Sequence, residues 1–186
     1  MVTLTALWLP IVVSAVGVFF ASTLIHMVFQ WHKADYRKLG NEDEVAAAIR
    51  KSPTTPGQYV MPHCLGPKEM QTPEAQKKFA DGPVAFLIVR PNGMPRMGPT
   101  LGQWFLLTLA VAAIAGDLAA VSLPAATDAS HVFHLVGSIT FLTYAGGSMV
   151  NGIWMGRMWS AVTRDLLDAL IYGAISGAAF AWLWPH

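Results

Sequence analysis

Residues 4–29 read LTALWLPIVVSAVGVFFASTLIHMVF, with no Asp, Glu, Lys or Arg among them. A helix rises 1.5 Å per residue, so roughly 20 apolar residues cross the hydrocarbon of a bilayer. This stretch exceeds that length and then gives way at once to QWHKADYRK over residues 30–38. The same contrast recurs along the chain. Leu101–Val121, Val132–Met155 and Leu166–Trp184 are also long and apolar, whereas residues 31–100 carry most of the charge. The whole chain is 54% hydrophobic and 12% charged, about half the charge of a soluble domain. These features predict an all-α membrane protein: a four-transmembrane-helix bundle with a small α+β insert between helices 1 and 2. The divisions are residues 1–30, 31–100 and 101–186.

Leu4–Phe29 lacks a basic segment ahead of it, outruns the apolar core of a secretion signal and shows no small-residue cleavage site before Trp31, so it reads as a retained helix. The one cysteine, Cys64, excludes an internal disulfide and fits a reducing compartment.

Basic residues orient membrane proteins because they are held on the cytoplasmic side. Ten of the twelve Lys and Arg fall between helices 1 and 2, and the others, Arg157 and Arg164, flank the turn between helices 3 and 4. Four crossings put both basic segments on one side. The expectation is a bacterial inner membrane location with both termini outside and residues 31–100 cytoplasmic. The seven tryptophans agree: Trp31, Trp104, Trp154 and Trp159 fall at inner ends and Trp8, Trp182 and Trp184 at outer ends, where amphipathic rings anchor.

Within residues 31–100, Asn41 and Glu44 form a capping box opening a helix over Glu42–Lys51, closed by Ser52-Pro53. Thr72-Pro73-Glu74 supplies a cap, a first-turn proline and an acid for a second helix that stops before Gly82. Gln58–Met61 and Val84–Val89, the latter followed by Pro91-Asn92-Gly93, read as a two-stranded ribbon. The expectation is that helices and ribbon pack on one another and on the membrane's inner face. Lys33, Arg37, Arg90 and Arg96 form a basic collar that could hold anionic lipid headgroups; ordinary retention of positive charge inside is the favoured reading. No phosphate loop, nucleophile elbow, zinc-spacing pattern or nucleic-acid signature is present.

Small residues at steps of four let helices approach closely in lipid. Helix 4 carries Ala169, Gly173, Gly177 and Ala181; helix 3 carries Ser148, Gly152 and Gly156; helix 2 carries Ala112, Gly116 and Ala120; helix 1 carries Gly17 and Ala21. They serve packing within the bundle or self-association into a homo-oligomer or larger membrane complex.

Ionisable groups at membrane depth are costly and therefore candidates for function. On the outer side, His131 and His134 share a face of helix 3 near the level of Asp117, with Asp128 and His186 close by. Imidazole and carboxylate together suit a transition metal or a titrating proton; interfacial groups satisfied by water are the other reading. At the inner end of helix 1, His26 and Gln30 lie four apart, followed by His32, Asp35 and Tyr36, and His26 is placed to bond across to helix 3 or 4. At the start of helix 4, Arg164 is spaced to pair with Asp168, with Asn151 as a partner from across the turn. No cofactor is required by the sequence, and the His positions at opposite ends do not suit a bis-His haem.

Trp31-His32-Lys33 with Asp35-Tyr36, Asn41-Glu42, Pro56-Gly57 with Tyr59, Gly82-Pro83, Pro91-Asn92-Gly93 and the closing Trp182-Leu183-Trp184-Pro185 carry a resemblance across the whole chain. On these residues the chain resembles an uncharacterised family of small bacterial four-helix inner-membrane proteins with no assigned activity. The resemblance implies the membrane class and no catalytic residues. Two functions are consistent with all of this. One is a non-enzymatic oligomeric membrane assembly, acting as a small-solute or ion pathway or as an accessory subunit. The other is a metal- or proton-binding membrane protein using His131, His134 and Asp117.

Overall fold

The structure, a computed structural model, describes residues 2–52 and 54–185. Pro53, part of the expected helix stop, and His186 of the outer group lie outside the described residues. Helix makes up 71% of the chain and strand only one pair, so the class is helical. The chain divides into two compact units, residues 1–37 with 96–186 and residues 38–95.

In the first unit a short 3₁₀ turn at Leu4–Leu7 runs into α1, Trp8–Thr23, and then into a π-helical turn at Leu24–Phe29. Three further long helices follow in the same unit: α5 over Met97–Ser122, α6 over Ala129–Trp154 and α7 over Trp159–Trp182. They form a ring in which α1 lies between α5 and α7, α7 packs along α6, and α6 returns to α5. Two of the helices, Leu4–Phe29 and Met97–Ser122, are long and apolar enough to cross a membrane. The other two equal them in length, about 39 Å and 36 Å at 1.5 Å per residue, but are more polar. Hydroxyls, glycines, Asn151 and two histidines dilute α6, and α7 opens with Arg164, Asp165 and Asp168. That polar opening also explains why α7 begins well before the apolar run expected from Leu166. An apolar run marks the greasy part of a helix, and the turns ahead of it stay helical.

Small residues set the spacing. A Cβ on Gly173 would lie 2.8 Å from the Gly137 carbonyl oxygen, and one on Gly177 would lie 2.7 Å from that of Phe133. The α6 and α7 backbones are therefore in direct contact, as expected of side-chain-free positions in close packing. Gly152 meets Val162 and Trp159 in the same seam, and Gly17 of α1 abuts Ile175 of α7. Gly156 departs from its expected place in the ladder. The helix has ended by then; Gly156 has φ +68° with open space around it, and the Arg157 amide bonds back to the Asn151 carbonyl at 3.2 Å. A glycine in the left-handed conformation just past the last turn is a common helix stop.

The buried positions are small or polar as often as aliphatic. Ser14 donates to Ser176 at 2.8 Å between α1 and α7, and Thr108, Thr140 and Ser148 are also buried. Large apolar side chains point outward instead, among them Phe20 (62% exposed), Leu142 (65%) and Leu170 (59%). At the opposite end from the charged residues of α7, the Trp184 indole donates to the Pro124 carbonyl at 3.1 Å and the Ala126 amide to that of Pro185 at 2.8 Å. Trp184 is thus buried in the packing, not an interfacial anchor as expected.

The second unit contains α2 over Glu42–Lys51, β1 over Gly57–Met61, α3 over Pro67–Met70, α4 over Pro73–Asp81 and β2 over Ala85–Val89. The strands pair antiparallel, with Tyr59 opposite Leu87 and Val60 opposite Phe86. The Thr72 hydroxyl caps α4 by accepting from the Ala75 amide. Asn41 precedes α2, but its side chain makes no cap hydrogen bond, so the capping box does not form. The expected packing of helices on ribbon is also missing. Ala75 is the one buried residue among the described residues 38–95, and Phe86 and Ile88 are exposed on the ribbon. The helical faces are too short and alanine-rich to cover a strand pair, which alone is marginal.

Candidate functional site

The end of α1 is reshaped to build a charged centre. The π turn adds one residue per turn relative to an α-helix, and the Gln30 amide closes it on the Ile25 carbonyl at 2.8 Å. Such turns recur at functional positions because they re-aim side chains. Gln30 then takes a left-handed conformation, φ 52°, and its side-chain amide donates to the Met27 carbonyl. The chain reverses into a 3₁₀ turn at Trp31–Asp35 that packs against α7.

Three side chains of that turn meet three of α7. His32 lies between two carboxylates, with Nδ1 2.8 Å from Asp35 and Nε2 2.8 Å from Asp168. The Trp31 indole N–H donates to the other Asp168 oxygen at 3.1 Å. Arg164 pairs with Asp35. Asp165 pairs with Arg157, whose Nη2 donates at 3.1 Å, and accepts from the Ser148 hydroxyl. Both ring nitrogens of His32 face carboxylate oxygens, so both donate, and that requires the imidazolium. The side chains of Asp35 and Asp168 are only 5% and 8% exposed. Buried carboxylates persist because they are paired and hydrogen-bonded.

Burial opposes the charge on His32, but the hydrogen bonds from Asp35 and Asp168 outweigh it and raise its pKa above 6.5. Burial likewise pushes Asp35 up, yet the bonds from His32 and Arg164 prevail and hold its carboxyl below the usual 3.8. Three carboxylates face two guanidiniums and the His32 imidazolium, so the centre is balanced in charge; replacing the His32 proton by a metal cation would keep the carboxylates compensated.

The predicted pairings are rearranged. Arg164 reaches Asp35 instead of Asp168, four residues on, because the turn after α1 delivers a carboxylate to it and offers Asp168 an indole and an imidazole. Asn151 contributes its backbone carbonyl to the Met155 and Arg157 amides and is otherwise exposed. His26 bonds within its own helix, its Nδ1 2.9 Å from the Ser22 carbonyl, and its ring stacks on His32 with centroids 4.7 Å apart and planes 8° apart. It does not bond across to α6 or α7.

The described residues of the outer group do not converge. His134 Nδ1 turns back to the Ser130 carbonyl at 2.7 Å and Asp128 caps the Ser130 amide. Among the described residues, the sets whose ligand atoms lie within 4.8 Å of one another are His26 with His32 and Asp168, and His32 with Asp35 and Asp165; His131, His134 and Asp117 form no such set. Lys33, Arg37, Arg90 and Arg96 are exposed and enter none of the ion pairs among the described residues. Trp31, His32, Asp35 and Asp165 are the site residues missed as a group. Their local signal was the three-residue spacing of His32 with Asp35 and of Asp165 with Asp168, each presenting two ligands on one face.

The fold and centre define a helical protein with two membrane-length apolar helices and a histidine–carboxylate cluster at the foot of the four-helix unit. Comparison with family models, curated proteins and solved structures returns no match.

Proposed function

We propose that the chain is a four-span integral membrane protein, with both termini outside and residues 31–100 inside, that acts as a cation-binding component and not as an enzyme. The observation that carries this is the apolar outside of the four-helix unit, set around a core in which hydroxyls share the packing with small and aliphatic side chains. Ser14, Thr108, Thr140, Ser148 and Ser176 are buried, whereas Leu and Phe side chains cover the outside of all four long helices. In water that arrangement forfeits most of the hydrophobic gain from folding; in lipid it costs nothing, because hydrocarbon surrounds the apolar faces and polar groups find partners inside. Thr140 and Ser148 of α6 and Asp168 and Ser176 of α7 face inward, whereas His131, His134, Ser138, Thr143 and Asn151 of α6 are exposed. The basic bias of residues 31–100 and of the turn after α6 supports the inside placement. The charged centre then lies at the inner end. Lipids are its immediate partners, and Gly173 and Gly177 are taken up within the chain, so the small-residue contacts do not require a second copy.

Labelling of single cysteines by a membrane-impermeant maleimide in intact cells tests the topology, with Cys64→Ser as background. Thr127→Cys is expected to react from outside, and Met158→Cys to react only after permeabilisation. Reaction of both Thr127→Cys and Met158→Cys in intact cells would mean that α6 does not cross, and reaction of Met158→Cys alone would mean that the orientation is reversed.

A further inference from the structure

We propose that His26, His32 and Asp168 form a binding site for a divalent transition metal ion of the zinc type, with Asp35 as its outer-shell support. The inference deepens the cation-binding reading and rests on it.

The atoms already stand near the required places. One ligand atom from each of the three residues lies within 4.8 Å of the others, and tetrahedral zinc with bonds of 2.0–2.2 Å wants them about 3.4 Å apart. Rotating the His26 ring inward and opening His32 slightly from Asp168 closes the difference. His26 is exposed on the π turn, so its ring can turn inward by leaving the stack on His32 without disturbing buried packing.

Tautomers favour the same assignment. His26 directs Nδ1 at the Ser22 carbonyl, and a carbonyl only accepts. Nδ1 therefore carries the proton and Nε2 keeps its lone pair. Asp35 does the same for His32, taking the Nδ1 proton at 2.8 Å, while Arg164 fixes Asp35 from behind. A carboxylate holding the distal nitrogen of a ligating imidazole is the usual outer shell of a zinc histidine. Asp168 binds through Oδ2 and keeps its Oδ1 on the Trp31 indole. The metal thus occupies the place that the Nε2 proton holds between His32 and Asp168, and water completes four ligands.

The competing set, His32 with Asp35 and Asp165, is already spent: Arg164 holds Asp35, and Arg157 with Ser148 holds Asp165. Two imidazoles and one carboxylate also select a transition metal over calcium or magnesium, which prefer oxygen ligands alone.

The test is a Co²⁺ titration of the tag-free full chain in nanodiscs at neutral pH, read by visible absorption and followed by displacement with Zn²⁺. The expected result is one equivalent per chain with the intense band of four-coordinate N/O ligation. His26→Ala and His32→Gln should each weaken binding at least about tenfold, and Asp35→Asn by about 10–100-fold through the outer shell. A His131→Ala/His134→Ala chain should bind as the parent does. Absence of stoichiometric binding by the parent overturns the proposal, as does binding that survives His26→Ala unchanged or is lost with the outer pair. His26 is exposed, and its one hydrogen bond lies within its own helix, so its alanine variant gives up only that bond and the stacking on His32, is expected to fold, and keeps the test decisive if His32→Gln does not. Maleimide labelling at residue 158 needs no metal, so failure of the metal site and failure of the four-span reading are separable.

Discussion

Replacing Gly173 by alanine should destabilise the four-helix unit, although alanine is the better helix former. A Cβ there would stand 2.8 Å from the Gly137 carbonyl oxygen and 3.3 Å from the Phe141 Cβ. The first contact is with backbone, which cannot rotate aside, so α6 must retreat from α7 by roughly half an ångström. A gap of that size forfeits about a quarter of the attraction of each contact it opens, and α6 and α7 touch along most of their length. The total is the usual cost of overpacking, about 1–3 kcal/mol, against a gain of about 0.5–1 kcal/mol from removing glycine. The control is Gly147→Ala, where nothing lies within 4 Å of the new carbon and only the gain remains. Thermal unfolding in one detergent should lower the midpoint for Gly173→Ala by a few degrees, since 1 kcal/mol is worth about 2–4 °C at this size, and raise it for Gly147→Ala. Equal stabilisation by both would refute the close approach of the two backbones.

Asp168→Asn keeps the shape of the side chain but loses the charge facing His32. It should cost about 1.5–3 kcal/mol, the range for hydrogen bonds to charged groups, measurable by the same unfolding assay; a neutral outcome would mean that His32 is not held there. Stability should also depend on pH at both limits. Asp35, with its lowered pKa, stabilises fully above its ordinary 3.8 and loses that contribution as pH falls through the lower folded value. His32, with its raised pKa, stabilises fully below its ordinary 6.5 and loses that contribution as pH rises through the higher folded value. The midpoint should therefore peak between about pH 4 and 6.5, and His32→Gln should flatten the alkaline side and also weaken the acid side, because the His32 bond helps hold Asp35 down. Trp184→Phe removes the indole donor to Pro124 and should cost about 0.5–1.5 kcal/mol, whereas Trp182→Phe, at an exposed position, should be close to neutral.

Local rules placed much of the chain. Thr72-Pro73 marked the start of α4 and Gly82 its end, and the apolar run before Pro91 marked β2, because caps and turns act over three or four residues. The close-packing glycines 152, 173 and 177 were legible for the same reason, as a periodicity on one helix. The charged centre was not. It joins His32 and Asp35, on a turn created by a π-helical turn and a left-handed Gln30, to Asp165 and Asp168 more than 125 residues later. Spacing along α7 favoured Arg164 with Asp168, and a tertiary partner displaced that pairing. The outer histidines show the reverse failure: His131 and His134 share a helix face, yet among the described residues no third ligand is brought to them, because convergence depends on how neighbouring helices are rotated.

Oxygen and nickel-chelate accessibility of spin labels at Leu142 on α6 and Leu170 on α7, in nanodiscs, tests the central claim most directly. Both positions face outward. The account predicts high accessibility to oxygen and low accessibility to the polar chelate, as lipid-facing sites show, matching a label at Ile114 on α5. High accessibility to the chelate at 142 and 170 with protection at 114 would place α6 and α7 in water and contradict the four-span protein.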